Sequence, residues 1–216
     1  MNTLPLDYRI SNINLFSEKS LFEAAKYLPE TLQTKINKRQ ISQDKAISIR
    51  AWLLLKEMLR GYGFKSDDIL DKVKFNAFGK PYIENTDCAD TPLEINFNYS
   101  HSCSKVLCAV SRSHNIGVDI EKIKAFDNST LITYFTMPEV NFILQEKIPQ
   151  KAFLSIWTKK EALVKCIGVG LTQINLASIE VLESSIVYKE IPYRFYTLDA
   201  GQDYVAHACI ESFNKN

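Results

Sequence analysis

The stretch Gly117-Val118-Asp119-Ile120-Glu121 alternates polar and apolar residues, so on a strand Asp119 and Glu121 share one face while Val118 and Ile120 take the other. Adjacent acids repel. A cation relieves the repulsion, and an all-carboxylate pair suits hard Mg²⁺ rather than zinc. A strand with one wetted face explains the same alternation. Further along, in Trp157-Thr158-Lys159-Lys160-Glu161-Ala162-Leu163-Val164-Lys165, Glu161 and Lys165 stand four apart on one helix face, a turn after Trp157. Alone they make a surface ion pair worth a few tenths of a kcal/mol. Beside Asp119 and Glu121, Glu161 would complete a three-carboxylate site and Lys165 could meet a phosphate oxygen bound to the same metal; helix spacing does not decide between the two.

Weaker signals lie upstream. Asn98-Tyr99-Ser100-His101-Ser102 closes a strand with a histidine between two hydroxyls, all able to donate to an anion. Phe78-Gly79-Lys80-Pro81-Tyr82 is a tight-turn pattern presenting one lysine. Between Glu30 and Arg60, Lys35, Lys38, Arg39, Lys45, Arg50, Lys56 and Arg60 outnumber Glu30, Asp44 and Glu57, as an anion site or an ordinary solvated helix face would. Of only 7 glycines, Gly79, Gly117, Gly168 and Gly170 fall in these polar clusters, where they permit turns or close backbone approach to a ligand.

The elements that must position these groups follow from periodicity. The first third reads helical, with a capping-box pattern at Ser20-Leu21-Phe22-Glu23 and helical apolar spacing from Ser42 to Arg60, stopped by Gly61 and Gly63. Short β-branched and aromatic runs follow at Val73 to Asn76, Pro81 to Glu84, Ile95 to Ser100, Val106 to Arg112 and Ile116 to Glu121. Thr136-Met137-Pro138-Glu139 opens a helix, a longer one runs from about Pro149 to Ile167 and ends at Gly168, and Ala177 to Phe213 is again strand-like. Helix, sheet, helix, sheet predicts an α+β chain of two lobes, 1–115 and 116–216, each a small antiparallel sheet packed with helices.

Hydrophobic residues at 46% and aromatics at 11% supply a packed interior. The net charge of +1 gives no whole-molecule attraction to nucleic acid. No apolar run approaches a membrane span and the start carries no signal-peptide core, so a cytoplasmic location off the membrane is expected. Cys88, Cys103, Cys108, Cys166 and Cys209 are an odd set without CxxC spacing, which predicts free thiols.

Taken in order, the clusters resemble the surfactin-synthetase-activating type of 4′-phosphopantetheinyl transferase. That family carries a Gly-Lys-Pro turn, a Ser-His-Ser strand end, a Gly-[Val/Ile]-Asp-x-Glu strand, and a Trp-[Ser/Thr]-x-Lys-Glu-[Ala/Ser]-x-x-Lys helix running into Gly-x-Gly-Leu. Here these read Gly79-Lys80-Pro81, Ser100-His101-Ser102, Gly117 to Glu121, Trp157 to Lys165, and Gly168-Val169-Gly170-Leu171. The resemblance implies two similar lobes related by a pseudo-twofold axis, a monomer, and coenzyme A between the lobes. It implies Asp119, Glu121 and Glu161 as Mg²⁺ ligands. Lys80, Ser100, His101 and Lys165 become contacts to coenzyme A phosphates, His101 near the 3′-phosphate and Lys165 near the pyrophosphate, with Lys160 a lesser candidate. Family members also use N-terminal Lys and Arg there, which leaves Lys35, Lys38, Arg39, Lys45 and Arg50 open, with Lys38 and Arg39 put forward, because Ile47 stands where a relative has arginine.

The implied reaction is attack by a carrier-protein serine on the β-phosphate of coenzyme A, releasing 3′,5′-ADP. Glu161, or a water it orients, takes the proton, and the partner is an acyl or peptidyl carrier protein. A magnesium-dependent phosphohydrolase and a chemically inert carrier- or coenzyme-binding relative are the competing readings.

Overall fold

A computed structural model describes residues 4–62, 69–83, 95–112 and 114–212, with the backbone alone at Asn128. Gly63, Glu84, Cys88 and Phe213, all drawn on in the sequence reading, lie outside the described residues. The chain divides into two compact units, Met1–Ser113 and His114–Asn216.

The first unit contains strands β1 (Asp7–Asn12), β2 (Val73–Phe75), β3 (Pro81–Ile83), β4 (Ile95–Ser102) and β5 (Lys105–Arg112), with helices α1 (Glu18–Ala25), α2 (Glu30–Asn37) and α3 (Ser42–Gly61). The order β1-β5-β4 makes an antiparallel sheet, and β2 pairs with β3. Alternate residues Val106, Cys108 and Val110 of β5 join a core with Ile49, Trp52 and Leu55 of α3. Trp52 meets Phe75, Phe97 and Tyr99 edge-on. This sheet-on-helix burial follows from a period of two on the strand meeting a period of 3.6 on the helix.

Two expectations for this unit need correction. The first third is not wholly helical, because β1 precedes α1. Its sequence DYRISN lacks a branched apolar run, and it becomes a strand by pairing with β5 from Asp7↔Val110 to Asn12↔Lys105. The N-cap of α1 is Ser17, whose side chain accepts from the Ser20 amide at 3.1 Å, so the pattern beginning at Ser20 already lies inside the first turn.

The second unit contains β6 (Ile116–Lys122), α4 (Asn128–Tyr134), α5 (Met137–Gln145), α6 (Pro149–Ile167), β7 (Ser185–Tyr188), β8 (Ile191–Thr197) and β9 (Tyr204–Glu211). Its antiparallel sheet has the order β6-β9-β8-β7. At the start of α5 the capping box is complete, with Thr136 accepting from the Glu139 amide and Glu139 accepting from the Thr136 amide at 2.8 Å. Helix α6 opens with Pro149 in its first turn and ends at Gly168, whose left-handed φ of 80° an L side chain disfavours. The short helix α4 was absent from the sequence reading; Asp127 caps it by accepting from the Ser129 amide at 2.9 Å.

The class is α+β, with small antiparallel sheets against helices. Among the described residues no helix is long and apolar enough to cross a membrane, and Cys103, Cys108, Cys166 and Cys209 are free thiols.

Candidate active site

The site rests on how closely α6 lies against β6. Gly117 sits in the regular β6–β9 ladder, opposite Cys209, without a left-handed backbone. A Cβ there would come within 2.1 Å of the Ala162 carbonyl oxygen and 2.2 Å of the Cys166 nitrogen. Glycine is therefore required for helix approach. Because residues two apart on a strand share a face, Asp119 and Glu121 project to the side on which Gly117 meets α6.

On α6, Glu161 and Lys165 are one turn apart, and Lys165 Nζ donates to Asp119 Oδ1 at 2.6 Å. Asp119 is buried, whereas Lys165 keeps 28% of its side chain exposed. Glu161 is pushed up to about 7 by burial, against the pull of the Lys165 ammonium and with the help of the Asp119 and Glu121 charges. A carboxyl half-protonated near neutrality beside two more carboxylates is poised to exchange a proton or to ionise for a cation.

Among the described residues, no three Asp, Glu, His or Cys groups already stand together at metal-holding spacing. The donor chemistry nevertheless fits Mg²⁺, which takes carboxylate oxygens, and, beside burial, the Asp119 and Glu121 charges add to the pressure on Glu161 a like-charge repulsion that a divalent cation relieves. Asp119, Glu121 and Glu161 are the residues that would hold it.

Lys160 does not belong among the phosphate contacts. Its side chain is fully buried, and its ammonium donates to Glu139 Oε2 at 2.9 Å, to Leu176 O at 2.8 Å and to Ile179 O. All three protons are used. Burial depresses its pKa, and Glu139 opposes that depression. Neighbouring Lys159 donates to the carbonyls of Val181, Leu182 and Glu183 at 2.9 to 3.1 Å. Both lysines tie the irregular segment after α6 to the helix; adjacency to Glu161 in sequence suggested otherwise.

In the first unit, Lys80 closes a turn organised by Asn76: its amide donates to Asn76 Oδ1 at 2.9 Å and its carbonyl accepts from the Asn76 amide at 3.0 Å. Ser100 and His101 stand on β4 opposite Leu107 and Val106 of β5, with Ser100 buried and His101 half-buried. Lys38 and Arg39 follow α2 and are exposed. Burial, with the Lys38 charge added, lowers the pKa of Lys35, and burial raises that of Tyr99 against the opposing charge of Arg39. Arg50 is engaged elsewhere, donating to Ser11 Oγ and Glu57 Oε1, each at 2.8 Å.

The sequence reading passed over His207, which pairs across the ladder with Asp119. It is buried, and its Nδ1 lies 2.7 Å from Thr158 Oγ1 on α6. A lone histidine in the apolar run Tyr204 to Ile210 carries no signal until the register is known.

Residues 115–209 match the family model described as the 4′-phosphopantetheinyl transferase superfamily. Curated relatives include the 4′-phosphopantetheinyl transferase gsp of Aneurinibacillus migulanus, 29% identical over 73% of this chain and 65% of the relative. HetI of Nostoc sp. is 32% identical over 56% of this chain and 52% of the relative. The 4′-phosphopantetheinyl transferase Sfp of Bacillus subtilis is 30% identical over 62% of this chain and 57% of the relative. The chain thus spans about two thirds or less of the length of these relatives. The segment that carries Asp119, Glu121, Glu161 and Lys165 is therefore similar to the 4′-phosphopantetheinyl transferase superfamily.

Proposed function

We propose that this protein transfers the 4′-phosphopantetheine arm of coenzyme A to a serine of an acyl or peptidyl carrier protein, with Mg²⁺ held by Asp119, Glu121 and Glu161, releasing 3′,5′-ADP. The supporting observation is one helix face that carries Lys165, paired to Asp119 at 2.6 Å, together with Glu161, held near neutrality.

A serine hydroxyl is a weak nucleophile, and the pyrophosphate it attacks repels it. Glu161, or a water it orients, accepts the hydroxyl proton. Lys165 is oriented by Asp119 before substrate arrives, and its partly exposed side chain gives a positive charge to the pyrophosphate oxygens. Mg²⁺, when bound, supplies further charge neutralisation on the same pyrophosphate. Lys80, Ser100, His101, Lys38 and Arg39 are the groups assigned to binding the coenzyme's phosphates. We place the reaction in the cytosol and take the monomer as the working species.

The test is incubation with Mg²⁺, coenzyme A and a panel of apo carrier proteins, read by mass spectrometry. A phosphopantetheine-sized increment on a carrier, with 3′,5′-ADP released, is the expected result. Release of 3′,5′-ADP without any modified carrier would instead establish a phosphohydrolase, and neither product would refute the enzyme reading.

A further inference from the structure

We propose that His207 is a positioning residue, which pins α6 to β9 at the level of Asp119 and so sets the distance at which Lys165 and Glu161 face the β6 carboxylates. The kinetic consequence rests on the transferase reading; the geometric claim does not.

The Thr158 hydroxyl has one proton. It lies 2.7 Å from the Leu154 carbonyl, the i−4 acceptor, and 3.3 Å from that of Ser155, so the proton goes to the helix backbone. The 2.7 Å contact between Thr158 Oγ1 and His207 Nδ1 then requires the ring to donate. His207 is thereby held as the Nδ1–H tautomer, with Nε2 accepting from Thr197 Oγ1 at 3.3 Å. Burial keeps the ring neutral, its pKa lowered to about 3.

The bridge thus runs from α6 through His207 to Thr197 on β8. His207 and Asp119 are register partners on adjacent strands. Thr158 and Lys165 are seven apart, nearly two full turns, and so lie on one helical stripe. Two polar links therefore join helix to sheet, Thr158 to His207 and Lys165 to Asp119, and both reach the sheet at one register level, two residues along β6 from the close packing at Gly117. The other anchors of α6 lie on its remaining faces; on the face that carries Lys165, these two links set how the helix is turned toward β6.

Steady-state kinetics of three variants test this. His207→Ala should lower kcat by about tenfold or more while the KM for coenzyme A stays within about twofold, because geometry is lost and phosphate contacts are not. His207→Asn, whose amide can donate from near the Nδ1 position, should restore kcat to within about threefold of the parent. Thr158→Val should match His207→Ala, and the double variant should be no worse than either single one. Unchanged kcat in His207→Ala, or an Asn variant as poor as Ala, overturns the proposal. If His207→Ala does not fold, the comparison of His207→Asn with Thr158→Val decides in the same way. Should the parent protein transfer nothing, the transferase reading fails by itself. The ¹H–¹⁵N signal of the Lys165 ammonium then carries the test: sharp in the parent and in His207→Asn but broadened in His207→Ala supports pinning, and no difference refutes it.

Discussion

Replacing Gly117 with alanine tests the central packing claim, because a single methyl group enters where three backbone atoms already stand. The added Cβ would lie 2.1 Å from Ala162 O, 2.2 Å from Cys166 N and 2.8 Å from Lys165 C. Carbon needs more than 3 Å from such atoms, so α6 and β6 must part by about 1 Å. Neither side can yield cheaply. The clashing atoms belong to the main chain of a helix cemented by Lys159 and Lys160, and to a strand paired along its whole length with β9. Overpacking of this kind costs about 3 kcal/mol, the upper end of its usual range. In a chain of this size that lowers Tm by about 10 °C. The same displacement stretches the 2.6 Å Lys165–Asp119 contact beyond hydrogen-bonding distance. Misplacement of catalytic groups by about 1 Å costs about 100-fold in rate. Thermal unfolding, paired with transfer kinetics on material shown by circular dichroism to be folded at the assay temperature, reads both effects. A Gly117→Ala protein with unchanged Tm and unchanged kcat would refute the claim that helix approach dictates this glycine.

Asp119→Ala should abolish transfer even with excess Mg²⁺, while His101→Ala should mainly raise the KM for coenzyme A; kinetics at several coenzyme concentrations separate the two. Glu161 has a raised folded pKa of about 7, so its contribution to stability is fully present below the unfolded value of 4.5 and is lost as pH rises through 7. Glu161→Gln should therefore be inactive yet more stable than the parent at pH 8, with the difference vanishing at pH 4.5, as urea unfolding at the two pH values will show. His207 has a depressed folded pKa of about 3 against 6.5, so stability present above pH 6.5 is lost as pH falls toward 3. That acid-side loss should be smaller in His207→Asn, measured by the same unfolding series. The two-residue turn joining β7 and β8 places Lys189 at φ 50° and Glu190 at φ 67°, conformations that asparagine and glycine adopt more readily. Lys189→Asn combined with Glu190→Gly should stabilise by about 1 kcal/mol, seen as a Tm increase of about 3 °C.

What the sequence makes legible here is what depends on near neighbours. The alternation in Ile116 to Glu121 locates β6 to within a residue, and the Thr136 and Gly168 signals mark where α5 begins and α6 ends. Longer-range causes are not written locally. Gly117 looks like a ligand-approach glycine or a turn glycine, and its real neighbour is the backbone of residues on a helix far along the chain. Lys159 and Lys160 look like two more cations beside Glu161, and only the fold of the 176–183 segment and the buried Glu139 reveal their partners. β1 is similar: nothing in DYRISN announces a strand until β5 offers it a ladder.

The same contrast explains how one helix can be both scaffold and site. From Trp157 to Lys165 nearly every direction around α6 is committed to a different anchor. Trp157 stacks with Phe135 and Phe153, Thr158 bridges to β9, and Lys159 and Lys160 hold the segment that follows the helix. Those anchors are numerous and mostly buried, so their loss is felt as stability. The remaining face carries Glu161 and Lys165, half-buried and electrostatically crowded, where Glu161 at neutral pH opposes folding. A group that costs stability persists only where its surroundings over-determine it. The dense anchoring on the other faces of α6 supplies that over-determination. It is therefore the reason Glu161 can be kept buried against the charges of Asp119 and Glu121.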